Sequence, residues 1–168
     1  MSNYRRYFRA NDAVFVTLVT GNRRPWLHEA DQKQMMLSVM AETKKRYAIR
    51  NIAHVVLDDH IHWMFDALAA SVPKLISAIK QGAISDRKQN RMAWQGLWQS
   101  RYFDHIIRDE RDFQAHLDYI HFNPVRHRYV RNACDYPWSS FRQWVCRGVY
   151  QADWGVSHES PVQAMDLE

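Results

Sequence analysis

Two adjoining stretches, "IRNIAHVVLDD" and "HIHWMFDAL", spanning Ile49 to Leu68, constrain the fold more than any other part of the chain. Both are rich in β-branched, aliphatic and aromatic residues and read as strand material, either two strands joined at Asp58-Asp59 or one long bent one. Segments of helical period flank them. Upstream, "AVFVTLVTGNRRPW" runs as a strand through Thr20 and stops at Gly21-Asn22 and the Arg-Arg-Pro turn. Glu29 to Tyr47 then carries Met35, Met36, Val39, Met40 and Tyr47 at helical spacing. Downstream, Ser71 to Arg87 has a Ser-Val-Pro entry suited to a helix start, followed by Leu75, Ile76, Ile79 and Ile84. "RYFDHIIRD" alternates like a strand. "DERDFQAHLDYIHF" reads as a helix that must end at Asn123-Pro124, because a residue preceding proline avoids the α region. The order β-α-β-β-α-β with a further helix predicts an α+β, ferredoxin-like (split β-α-β) fold: an antiparallel sheet with helices packed on it.

A chain of 168 residues, 46% hydrophobic, has material for one well-buried domain and not for two comfortable ones. We expect a core domain over 1–131 and an aromatic, basic C-terminal extension over 132–168, packed on or near that domain. The extension's last dozen residues, "SHESPVQAMDLE", read as a loose tail. Cys134 and Cys146 lack the spacing of a zinc ribbon and the density of a disulfide scaffold, so free thiols in a reducing cytoplasm are expected. Neither a secretory h-region nor a run of about 18 apolar residues is present. The formal net charge is +5, and seventeen of the 23 basic residues are Arg, whose planar fork suits phosphate oxygens and base edges. That balance leans towards a nucleic-acid partner.

The strand alternation carries the first chemical signal. His60 and His62 share a face with Asp58, while Leu57, Ile61, Trp63 and Phe65 share the other. Two imidazoles aimed the same way suit one divalent ion; the alternative is a pair of hydrogen-bonded sheet histidines. On the later helix, Phe113, Leu117 and Ile120 form a core stripe, with His116, Tyr119 and Asn123 to one side of it. Tyr119 and Asn123 are four apart and lie on one flank. A tyrosine hydroxyl there can act as a nucleophile, and an amide oxygen one turn later can complete a metal shell. Arg126, Arg128 and Arg131 in "PVRHRYVR" fit a phosphodiester substrate, because charge develops on the phosphoryl oxygens under attack.

The His-hydrophobic-His triplet, the single Tyr on a later helix, "YIHFNPVRH", "LWQSRYFDHIIRDERDF" and "YPWSSFRQW", in that order, resemble the REP-associated tyrosine transposases. These are relatives of the insertion-sequence Y1 transposases in the HUH endonuclease superfamily, and the resemblance runs from about Arg5 to Gly155. It implies that His60 and His62 bind Mg²⁺ or Mn²⁺. It also implies that Tyr119 attacks a single-stranded DNA phosphodiester at the foot of a hairpin-forming extragenic palindrome, leaving a 5′-phosphotyrosyl enzyme. Asn123 stands where insertion-sequence relatives use Gln as third ligand. "LDD" replaces the "MPN" common before the triplet, which makes Asp58 a further candidate ligand and puts Asp59 in a turn. Arg5, Arg6, Arg23 and Arg24, at the first strand's ends, are candidates for gripping the hairpin foot. A monomer is the expected state. Two other functions fit the residues, a ferredoxin-like single-strand-binding module without chemistry and a metal-dependent hydrolase using bound water.

Overall fold

A computed structural model describes residues 13–66, 71–85 and 96–156. The expected end of the second helix at Arg87, the C-terminal tail, Arg5 and Arg6 lie outside them. The apolar alternation of the first strand becomes β1 (Ala13–Val19), and the double stretch around Asp58-Asp59 resolves into two strands, β2 (Arg50–Val56) and β3 (His60–Asp66). A fourth, short strand is β4 (Phe103–Ile106). Helices α1 (Ala30–Arg46) and α2 (Val72–Ser85) precede and follow the β2–β3 hairpin, with α3 (Glu110–Arg126) and a six-residue α4 (Phe141–Cys146) after β4. The sheet order is β2-β3-β1-β4, every neighbouring pair antiparallel, which is the ferredoxin-like arrangement.

Both faces of the sheet are covered. Val14, Val16, Leu18, Ile61, Trp63 and Phe65 pack with Met36 and Met40 of α1 and Leu75, Ile76, Ile79 and Ala83 of α2. Phe15, Val55 and Met64 point to the opposite side, where Phe113, Leu117, Tyr119 and Ile120 of α3 meet them. All seven residues of β3 are consequently buried. Leu57 departs from expectation: it joins the α3 cluster and not the Ile61, Trp63, Phe65 row. The chain turns at Asp58-Asp59, so strict alternation does not carry across from Leu57 to Ile61.

The N-terminus of α3 is capped by Asp109, whose Oδ1 accepts from the Asp112 N–H at 2.8 Å. Its C-terminal end corrects the sequence reading. The helix does not stop at Asn123-Pro124 but runs to Arg126 with Pro124 inside it. Proline withholds one ladder hydrogen bond, yet the next turn closes with the His127 N–H on Asn123 O and the Tyr129 N–H on Pro124 O, both at 2.9 Å. Packing of the Phe113, Leu117, Ile120 stripe outweighs the lost bond. Asn123 therefore sits on helical backbone one turn after Tyr119.

The segment after Arg131 covers the outer edge of β2. The Val56 N–H donates to Trp138 O at 3.0 Å, the Ser140 N–H to His54 O at 2.9 Å, and Trp144 Nε1 to Ile52 O at 2.9 Å. An unpaired strand edge is thereby protected. Ala133, Tyr136, Phe141, Trp144 and Tyr150 enter the same apolar cluster as α3. Among the described residues no helix is long and apolar enough to cross a membrane.

Candidate active site

β3 begins at His60, and the register sets His62 opposite Thr17 of β1 and Val55 of β2. Each histidine is held through its Nδ1. His62 Nδ1 hydrogen-bonds Thr17 Oγ1 at 2.9 Å, and His60 Nδ1 donates to Asp59 Oδ1 at 2.6 Å. Asp59 Oδ2 in turn accepts from Arg23 Nη1 at 3.3 Å. Both Nε2 atoms are buried without a hydrogen-bond partner. Asn123 Oδ1 is a third such atom, while its Nδ2 donates to Tyr119 O at 3.3 Å. Buried acceptors left unpaired are costly. Two imidazole nitrogens and an amide oxygen are a donor set for a divalent ion, and imidazoles tied at the far nitrogen are what metal sites require. The residues fit the group that the sequence implies.

Tyr119 belongs to this arrangement. Its ring lies 5.0 Å from that of His62 and 6.2 Å from Phe15, and the Arg126 guanidinium sits over it at 5.7 Å. The rings of His60 and His62 are 4.8 Å apart, and His127, at the C-terminal cap of α3, comes within 5.3 Å of His60. Burial is the main cause that drives the His62 imidazole well below its ordinary pKa, and the neighbouring His60, His127, Arg126 and Arg23 add to it. His62 is thus kept neutral, the form that ligates.

Asp58 does not join the histidines. Its carboxylate takes Lys33 Nζ at 2.6 Å and His28 Nδ1 at 2.8 Å. Burial pushes its pKa up, but the hydrogen bonds from His28 and Lys33 overcome this and leave it below the usual range. The tight turn points Asp58 towards α1 and gives Asp59 to His60. Asp59, Thr17, Phe15 and His127 are the residues that sequence reasoning missed. An acid next to His60 was visible; Thr17 and Phe15 required the β1–β3 register. Of the arginines, Arg126 lies over Tyr119, Arg23 bonds Asp59, and Arg24 is tied to Gly21 O at 3.3 Å and Gly96 O at 3.2 Å. Arg128 and Arg131 are exposed beyond the end of α3.

A ferredoxin-like sheet that presents a His-Ile-His strand to a tyrosine-bearing helix points to the transposases, and residues 12–123 match the family described as Transposase IS200 like. A REP-associated tyrosine transposase of Escherichia coli (strain K12) is 33% identical over 154 residues, covering 92% of this chain and 91% of the relative. A Haemophilus influenzae protein provisionally given the same name is 34% identical over 166 residues, covering 92% and 94%. Among solved structures, a REP-associated tyrosine transposase bound to a REP hairpin superposes with a TM-score of 0.77 at 31% identity, covering 98% of this chain and 99% of that one. The chain belongs to the REP-associated tyrosine transposases and is an enzyme of DNA transposition.

Proposed function

We propose that this protein cleaves and rejoins single-stranded DNA beside a REP hairpin through a covalent bond to Tyr119. The observation that carries the reading is the set of three orphaned buried atoms, His60 Nε2, His62 Nε2 and Asn123 Oδ1, beside the Tyr119 ring. These three side chains would hold Mg²⁺ or Mn²⁺, which when bound polarises the scissile phosphate. The solved relative's hairpin supports the choice of substrate.

In the reaction the Tyr119 oxygen gives up its proton and attacks phosphorus, the bond from phosphorus to the 3′-oxygen breaks, and the departing 3′-oxygen takes up a proton to leave as a hydroxyl while the phosphate stays on tyrosine. Rejoining is the reverse, with a 3′-hydroxyl displacing the tyrosine. Arg126, over the Tyr119 ring, balances charge on the phosphoryl oxygens. Thr17 and Asp59 hold the two imidazoles in one tautomer and orientation. Arg23 is shared between Asp59 and the DNA backbone, while Arg24, Arg128 and Arg131 contact phosphates flanking the hairpin. The protein works as a monomer, in the compartment that holds the chromosome.

Incubating the full chain with a single-stranded REP hairpin oligonucleotide and Mn²⁺ should yield a denaturation-resistant protein–DNA adduct. Tyr119→Phe should abolish the adduct and retain hairpin binding. Cleavage that survives Tyr119→Phe would mean that water is the nucleophile, and binding without cleavage under either metal would make this a binding module.

A further inference from the structure

Away from His60 and His62, β4 and the first turns of α3 bring a second set of metal-ligating groups together. His105 Nε2 lies 2.8 Å from Asp112 Oδ2, and His116 Nδ1 lies 3.0 Å from Asp112 Oδ1. One ligand atom from each of the three residues falls within 4.8 Å of the others. The His105 and His116 rings stack at 4.7 Å with an interplanar angle of 11°, so both imidazoles address the same carboxylate. Asp112 and His116 are four apart on one helical face, and the Asp109 cap fixes the turn that carries Asp112. The inner wall is the Phe15 ring, 4.8 Å from His116 and 5.6 Å from His62, which stands between this cluster and the catalytic histidines.

We propose that His105, Asp112 and His116 form a second divalent-metal site, selective for a borderline transition ion of the Zn²⁺ or Co²⁺ type and not for Mg²⁺. Two imidazoles and one carboxylate make a facial set that such ions favour, whereas Mg²⁺ prefers oxygen. Protons now hold the cluster together: His105 Nε2 donates to Asp112, and His116 Nδ1 donates to Asp112 O at 2.9 Å. An ion takes the place of the two ring protons. Glu110 adds a further acid to the same turn as Asp112, which draws a cation. Arg108 Nε, 3.3 Å from Asp112 Oδ2, competes for that oxygen, and its side chain is exposed enough to swing away. His116 is 2% exposed and His105 has a partly exposed side chain, so the site is anchored inside and open at the edge strand. A bound ion would staple β4 to the start of the helix that bears Tyr119. The site is independent of the catalytic reading.

The test uses the full chain, freed of metal by a chelator, in a His60→Gln, His62→Gln background, with Co²⁺ as the probe. The expected result is uptake of about one equivalent of Co²⁺ with a visible ligand-field absorption, lost when His105→Gln is added. In parallel, the unsubstituted chain in excess Mg²⁺ takes up about one equivalent more Co²⁺ than the same chain carrying His105→Gln; this arm holds even if the background variant fails to fold. The proposal is overturned if the folded background variant takes up no Co²⁺. It is equally overturned if Mg²⁺ displaces the Co²⁺ held by the background variant, or if His105→Gln leaves Co²⁺ uptake undiminished.

Discussion

His60 shows how one side chain is prepared for a metal. Its Nδ1 is bound to Asp59, and Asp59 to Arg23, which leaves Nε2 buried and unpaired. The hydrogen bond from His60 is the first cause that holds the Asp59 carboxyl below its ordinary pKa, so Asp59 is a carboxylate at neutral pH. Asp59→Asn keeps the size but weakens the electrostatic hold on the ring. Mn²⁺ affinity, measured by titration calorimetry, should fall by about 10–100-fold with the fold intact. Asp58→Asn, one residue away, should leave Mn²⁺ affinity unchanged and lower the melting temperature instead, because Asp58 serves Lys33 and His28. Neighbouring acids thus have separable roles.

At the scale of elements, the seam between β2, α3 and α4 brings the backbone of half-buried His54 and the ring of buried His121 to one hydroxyl. Ser140 Oγ accepts from the His54 N–H at 2.9 Å and from His121 Nε2 at 2.9 Å. Burial, reinforced by Lys44, lowers the His54 pKa from 6.5 to about 4, and burial, with the nearby His54 imidazole opposing a second proton, drives His121 well below its usual value. Both are neutral in the fold and take up protons when it opens. The unfolded chain therefore binds more protons as pH falls below about 6.5, and the stability that these groups leave intact at neutral pH is lost progressively towards pH 4. A melting temperature that declines over this interval, with a shallower decline in His54→Gln, checks the sign. The same seam depends on Trp144, which is 1% exposed and donates to Ile52 O. Trp144→Ala should cost about 4 kcal/mol in a denaturant titration, since it opens a large cavity and frees the β2 edge.

For the molecule as a whole, the net charge is +5, and part of the basic surface lies at the end of α3 and at the turn after β1. Arg23, Arg24, Arg126, Arg128 and Arg131 are all exposed there. Arg128→Ala and Arg131→Ala should each weaken hairpin binding whatever its sequence, and each should reduce the slope of log affinity against log salt by about one. The order of elements and the pairing of His60 with His62 could be read from the sequence because periods of 2 and 3.6 are local properties of the chain. So could Tyr119 and Asn123, which need no more than one helical turn between them. The tertiary structure decided what those periods cannot reach. Strand register brought Thr17 to His62, a two-residue turn sent Asp58 to Lys33 and Asp59 to His60, and packing carried α3 through Pro124. It also brought His105 of β4 onto Asp112 and His116. Local periodicity chooses which face a side chain takes; long-range contacts choose which partner it meets there.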